Sequence, residues 1–144
     1  MSIFIDTGVL YAHHDIDAER HITATELVDA VLDGTYGHPY TSDYILDEAV
    51  TLTRARTNSV DDVDAIAKRI RGSDPYPQIV ELIYTTPELV AAALETFRRY
   101  DDHDLSFTDA MIVAICDQRD IDAVASFDSD FDGIIKRIEH NPPR

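Results

Sequence analysis

The sequence predicts an α/β fold built on a mainly parallel sheet. Two short apolar runs carry that expectation: Ile3-Phe4-Ile5 near one end and Ala123-Val124-Ala125-Ser126 near the other. A strand apolar on both faces belongs in the middle of a sheet that helices cover from both sides. The other observation is what lies between them. Segments with apolar residues at helical spacing alternate with strand-like runs, the pattern of parallel strands joined by helical crossovers. In open parallel sheets ligands bind beyond the carboxyl ends of the strands. The residues that follow each strand are therefore the first candidates for a site.

Taken in order, Ile3-Phe4-Ile5 stops at Asp6. Residues 20–32 place Ile22, Leu27, Val28, Val31 and Leu32 at helical spacing, and Gly34 stops that helix. Pro39-Tyr40-Thr41 fits a short strand, and Ser42 fits the N-cap of a helix to about Arg56. Residues 59–71 form an amphipathic helix with Val60, Val63, Ile66, Ala67 and Ile70 on one face and Gly72 as its stop. Residues 78–85 alternate in part and suggest a strand. Thr86-Pro87 joins a cap to a proline at the first helical position, opening a helix to about Tyr100. Asp101-Asp102-His103-Asp104 is a polar loop, and residues 106–119 make the most apolar helix. Residues 134–138 suggest an edge strand before Pro142-Pro143. No repeat, low-complexity segment or Gly/Ser linker divides the chain, so one domain over residues 1–144 is expected.

Charge separates this chain from most globular proteins. Asp and Glu number 28 and Lys and Arg 12, a net charge of −16. Only Lys68 and Lys136 are lysines, and the acids are spread along the whole chain. That pattern points to adaptation to high salt, where the Debye length falls to ~3 Å at 1 M. The lone cysteine, Cys116, excludes an intramolecular disulfide and a thiolate zinc cluster. No apolar run is long enough for a bilayer. The N-terminus has no basic region followed by a hydrophobic stretch, and the cytoplasm is the expected location. The basic footprint usual in nucleic-acid binders is missing.

Most of the acids coat the surface, but four sit where a solvated charge does not belong. Asp6 follows one apolar strand, and Asp128 follows the other after Ser126-Phe127. Glu48 shares a helical stripe with Ile45, Ala49 and Leu52. Asp109 begins the most apolar helix and aligns with Leu105, Ile112, Val113 and Cys116. A buried carboxylate must be paired, protonated or bound to metal. No Lys or Arg lies near Asp6, Asp109 or Asp128 in sequence. Helix capping is the competing explanation for each acid taken singly. A cluster of oxygen ligands with no soft ligand suits a hard divalent cation, Mg²⁺ or Mn²⁺.

Four segments in order resemble a known family: Ile3-Phe4-Ile5-Asp6-Thr7, Leu46-Asp47-Glu48-Ala49-Val50, Leu105-Ser106-Phe107-Thr108-Asp109-Ala110 and Ser126-Phe127-Asp128-Ser129-Asp130-Phe131. The chain resembles the PIN-domain ribonucleases, most closely the small VapC-type toxins of prokaryotic toxin–antitoxin pairs. The resemblance implies a three-layer α/β/α fold with a mainly parallel central sheet of four to five strands. It implies that Asp6, Glu48, Asp109 and Asp128 bind the metal and carry catalysis, cutting RNA by metal-assisted hydrolysis. Asp130 is a second-rank candidate, and Thr7 and Thr108 flank two of the acids. An antitoxin partner and a homodimer are further implications. Two alternatives are a PIN nuclease of RNA processing without a toxin role and a non-catalytic PIN-fold assembly module.

Other motifs point elsewhere. Asp6-Thr7-Gly8 is the tripeptide of aspartic proteases, which need two such carboxylates; the chain holds one copy. Asp6-Thr7-Gly8 also lacks the second aspartate of a haloacid-dehalogenase-type phosphatase. Asp128, Asp130, Asp132, Gly133 and Glu139 fit the spacing of an EF-hand loop, but that loop needs a helix on each side. The histidines show no zinc spacing, and Cys116 reads as a core residue. Arg54, Arg56, Lys68, Arg69 and Arg71 gather around Asn58. They either flank the RNA groove or offset neighbouring acids.

Overall fold

The structure, a computed structural model, describes residues 1–140; the Pro142-Pro143 stop lies outside the described residues. Five parallel strands form one sheet: β1 Ser2–Ile5, β2 His38–Ser42, β3 Glu81–Ile83, β4 Ala123–Ala125 and β5 Arg137–Ile138. Their order is β3-β2-β1-β4-β5, so β1 is central, as its apolar run requires. Ile3 and Phe4 are fully buried and Ile5 nearly so. The helices are α1 Thr7–His14, α2 His21–Leu32, α3 Asp43–Thr57, α4 Val60–Arg71, α5 Pro87–Arg99 and α6 Phe107–Arg119.

Right-handed crossovers decide which face each helix takes. The chain steps from β1 to β2 to β3 in one direction, through α1, α2, α3 and α4. It then reverses to β4 through α5 and α6, which places that pair on the opposite face. The contacts agree: α1 packs on α2, α3 and α4, while α5 packs on α6. The result is the three-layer α/β/α architecture. The reversal leaves a switch point between β1 and β4, where doubly wound sheets open a crevice at their carboxyl edge.

Local chemistry sets the helix ends. Ser59 Oγ accepts from Asp62 N–H at 3.2 Å, and Gly72 closes α4 at φ +65°. Thr86 Oγ1 accepts from Leu89 N–H at 3.2 Å ahead of Pro87. Ser42 holds the N-cap position of α3, but its hydroxyl makes no capping bond. Asp43 does the polar work instead, accepting from Tyr44 N–H at 3.1 Å and from Thr85 N–H at 3.1 Å. One glycine is demanded by geometry. Gly37 has φ +77°, and a Cβ there would run into the Met1 carbonyl.

Three elements differ from expectation. The strand expected over 78–85 shrinks to Glu81–Ile83, and the last strand to Arg137–Ile138. Helix α1 has no counterpart in the predicted elements. It is buried over Thr7, Val9, Leu10, Tyr11 and Ala12, so it lacks the polar face that makes a helix legible in sequence.

Candidate active site

Strands β1 and β4 pair in register through Ile5 and Ala125. Asp6 and Ser126 therefore leave the sheet side by side at the switch point. Asp6 N–H donates to the Ala125 carbonyl at 3.0 Å. Its side chain then turns to cap α1, with Oδ1 accepting from Thr7 N–H at 2.8 Å. Oδ2 accepts from the Ser126 hydroxyl at 2.6 Å. The same hydroxyl accepts from Asp128 N–H at 3.0 Å. Ser126 is fully buried and ties the two strand-end acids together.

The helices bring the rest. Glu48 sits in the second turn of α3, and its Oε1 accepts from Thr7 Oγ1 at 2.8 Å. Asp109 closes a capping box at the start of α6: its Oδ2 accepts from Ser106 N–H at 3.1 Å, and its N–H donates to Ser106 Oγ at 3.1 Å. Asp128 Oδ1 accepts from Asp130 N–H at 2.9 Å. Three of the acids thus also act as helix caps, counting the 3₁₀ turn Ser129–Phe131 that follows Asp128. Capping and clustering hold together and are not alternatives.

Asp6, Glu48, Asp109 and Asp128 all line one cleft of about 500 Å³, with Asp104, Asp130, Thr7, Gly8, Leu52, Ser106 and Phe127. Among these described residues there is no Lys, Arg or His. Asp109, Asp128 and Asp130 each offer an oxygen within 4.8 Å of the others. The tightest group therefore includes the second-rank candidate Asp130. Asp6 and Asp109 are buried, whereas Glu48 and Asp128 are half-buried, so Glu48 lies at the margin of the apolar stripe assigned to it. The Thr7 hydroxyl bonds Glu48, while its backbone N–H bonds Asp6 beside it in sequence. Thr108 does not line the cleft.

The electrostatics record the crowding. Burial pushes the Asp6 carboxyl up to about 6 from 3.8, against the Ser126 and Thr7 hydrogen bonds, with Asp109 and Glu48 adding repulsion. Asp109 is likewise pushed up to about 6 by burial, with Asp128 and Glu48 adding to the rise. Asp130 is raised chiefly by the charge of Asp128. Carboxylates that crowd together without a cation fit a divalent metal by their donor chemistry: all oxygen, all anionic, converging on one cleft.

Sequence reasoning missed Ser126 as the link between Asp6 and Asp128, and missed Asp104 and Phe127 as cleft walls. No local signal marks them, because the link is a pairing between strands far apart in sequence. The EF-hand pattern dissolves here. Strand β4 precedes it and β5 falls inside it, and Arg137 takes both Asp132 at 2.8 Å and Glu139 at 2.8 Å. The five clustered basic residues do not line the acid cleft. Lys68 pairs with Asp64 at 2.9 Å, and Arg56 and Arg69 stack on Tyr11 and Tyr76.

A doubly wound parallel sheet with a carboxylate-rich cleft at its switch point defines an α/β protein with an acidic centre whose oxygens could hold a metal ion. The chain belongs to the PIN-domain family, whose model matches residues 3–136. It is 26% identical over 132 residues to a VapC ribonuclease of Archaeoglobus fulgidus, covering 91% of this chain and 80% of that protein. The crystal structure of VapC20 from Mycobacterium tuberculosis, a toxin that cleaves the sarcin–ricin loop, matches with a TM-score of 0.78 at 29% identity. That match covers 93% of this chain and 97% of VapC20. VapBC2 from Rickettsia felis, crystallised on a promoter DNA fragment, shares the fold with a TM-score of 0.71 at 10% identity, over 98% of this chain and 100% of that one. Among the described residues no helix is long and apolar enough to cross a membrane.

Proposed function

We propose that this chain is a metal-dependent endoribonuclease, the toxin of a VapBC-type pair, working as one domain in the cytoplasm. The observation that carries the proposal is the cleft itself: four buried or half-buried carboxylates at the switch point, with no cationic side chain among the residues that line it. The likeness to VapC proteins supplies RNA as the substrate. Asp6, Asp109 and Asp128 would hold Mg²⁺ or Mn²⁺, with Asp130 within reach of the last two. A divalent ion held there would supply Lewis-acid polarisation of the scissile phosphate and lower the pKa of a bound water toward neutrality. Glu48, fixed by the Thr7 hydroxyl, orients that water and accepts its proton. Ser126 holds the Asp6 carboxylate in one rotamer, and Ser106 does the same for Asp109. No nucleophilic side chain is needed.

Apolar side chains on two helices remain exposed and suit an antitoxin helix. They are Ile22 and Leu32 on α2 and Val60 on α4. A homodimer belongs to the same proposal by analogy with VapC proteins. The test is cleavage of a labelled RNA pool in molar KCl with Mg²⁺ or Mn²⁺, comparing wild type with Asp6→Asn. Metal-dependent cutting lost in the variant is the expected result. Equal cutting by both points to a contaminant and removes Asp6 from the site.

A further inference from the structure

A polyanion must enter a cleft walled by acids on a chain of net charge −16. Phosphate contacts by Arg and Lys supply most of the affinity in protein–nucleic acid complexes, so a cation near the cleft has to be found. The structure shows one against its wall. The guanidinium carbon of Arg20 lies 4.7 Å from the centroid of the Phe127 ring. Phe127 lines the cleft next to Asp128, in ordinary contact with the position a Gly8 Cβ would take.

Local rules do not account for Arg20. It holds the N-cap position of α2 and makes no side-chain cap bond. Ser, Thr, Asp and Asn are preferred there, and a cation at a helix N-terminus opposes the helix dipole. Arg20 also makes no ion pair among the described residues, although Asp17 and Glu19 are close in sequence. An exposed arginine in so acidic a chain, set against its own helix and stacked on the active-site wall, breaks the local rules in the way functional residues do.

We propose that Arg20, held by Phe127, binds an RNA backbone phosphate at the lip of the cleft, beside the phosphate that is cut. Stacking on the ring fixes the guanidinium plane and leaves its in-plane N–H donors for the phosphate oxygens. The aromatic seat matters because it orients a long flexible side chain without an acidic partner, which would compete with RNA. Arg20 is a substrate-positioning residue here, and its role rests on the ribonuclease function proposed above. Arg56 and Arg69 also stack on rings, but Tyr11 and Tyr76 do not line this cleft.

The test is fluorescence anisotropy of a labelled single-stranded RNA with Ca²⁺ as the divalent ion, across 0.3–2 M KCl (about this range, where screening is strong). Wild type is compared with Arg20→Gln, Arg20→Lys and Phe127→Leu. Arg20→Gln is expected to weaken binding about 5–20-fold and to shift the slope of log K against log salt by about 0.7, the value of one phosphate contact to a single strand. Arg20→Lys recovers part of the affinity, and Phe127→Leu weakens it with Arg20 intact. In cleavage assays the loss is expected in KM, with kcat nearly unchanged. Equal RNA affinity and salt slope in wild type and Arg20→Gln overturn the proposal, including the case in which only thermal stability drops. That result leaves the nuclease standing if Asp6→Asn still abolishes cutting. A folded wild type that binds no RNA overturns both.

Discussion

The acids between Asp128 and Glu139 form two groups whose charge is balanced in opposite ways. Asp132 and Glu139 grip Arg137, whose Nε and Nη1 lie 2.8 Å from their oxygens. That hydrogen bond holds the Asp132 carboxyl below its ordinary value. Asp128 and Asp130 face each other and Asp109 with no cation between them, and the charge of Asp128 adds to the rise of both Asp130 and Asp109. The first group is finished as it stands and works as a brace. The second is incomplete as protein alone. Carboxylates crowded out of bulk water without a balancing cation lower stability, and such strain collects where function needs it.

Substituting one acid from each group breaks the comparison most sharply. Asp109→Asn is expected to cut RNA cleavage by about 10²–10³-fold, the scale of losing one preorganised electrostatic group. The same variant is expected to gain about 1–3 kcal/mol of metal-free stability at pH 7.5, because it removes a carboxylate whose value stands near 6 when folded and 3.8 when free. Chemical denaturation with and without Mn²⁺ reads both the gain and the loss of the metal effect. A less stable Asp109→Asn would mean that the capping box outweighs the relief of burial and repulsion on the charge.

Arg137→Ala tests the braced group. Its guanidinium also donates to the Ser126 carbonyl at 3.3 Å, so it steadies the turn that carries Asp128. A loss of about 1–2 kcal/mol is expected, on the scale of a small ion-pair network, with a several-fold fall in cleavage. The smallest effect belongs to Asp132→Asn. It lies four residues from Asp128, yet it is expected to change stability by less than about 0.5 kcal/mol and cleavage not at all, whereas Asp128→Asn is expected to abolish cutting.

The contrast also explains what was legible in the sequence. Buried apolar strands ending in acids give β1 and β4 directly, and with them the switch point. Asp6, Glu48, Asp109 and Asp128 stand out because each interrupts an apolar pattern, and the fold brings all four to one cleft. Helix α1 was hidden for the opposite reason: it is buried nearly all round, so its apolar residues show no face. Ser126 was hidden because its role depends on strand pairing between Ile5 and Ala125, which is a long-range fact. Asp130 ranks second in the sequence because spacing alone cannot tell a metal ligand from a turn-forming acid. Its approach to Asp109 and Asp128 is visible only once the chain is folded. Arg137 shows the limit of motif matching: an acidic pattern that fits a calcium loop is captured by one guanidinium.

The most direct test of the central claim is the thermal stability of the antitoxin-free, metal-free chain at pH 5 and pH 7.5, with and without Mn²⁺. Asp6 and Asp109 each stand near 6 in the folded chain against 3.8 in the free carboxyl, so the folded state binds more protons between those values. Stability from these groups is therefore greatest at low pH and is lost as pH rises through about 4 to 6. The expected result is a metal-free Tm that is lower at pH 7.5 than at pH 5, with Mn²⁺ raising it by several degrees at pH 7.5 and little at pH 5. A Tm that Mn²⁺ leaves unchanged at both pH values would contradict the assignment of the acid cleft as a metal centre.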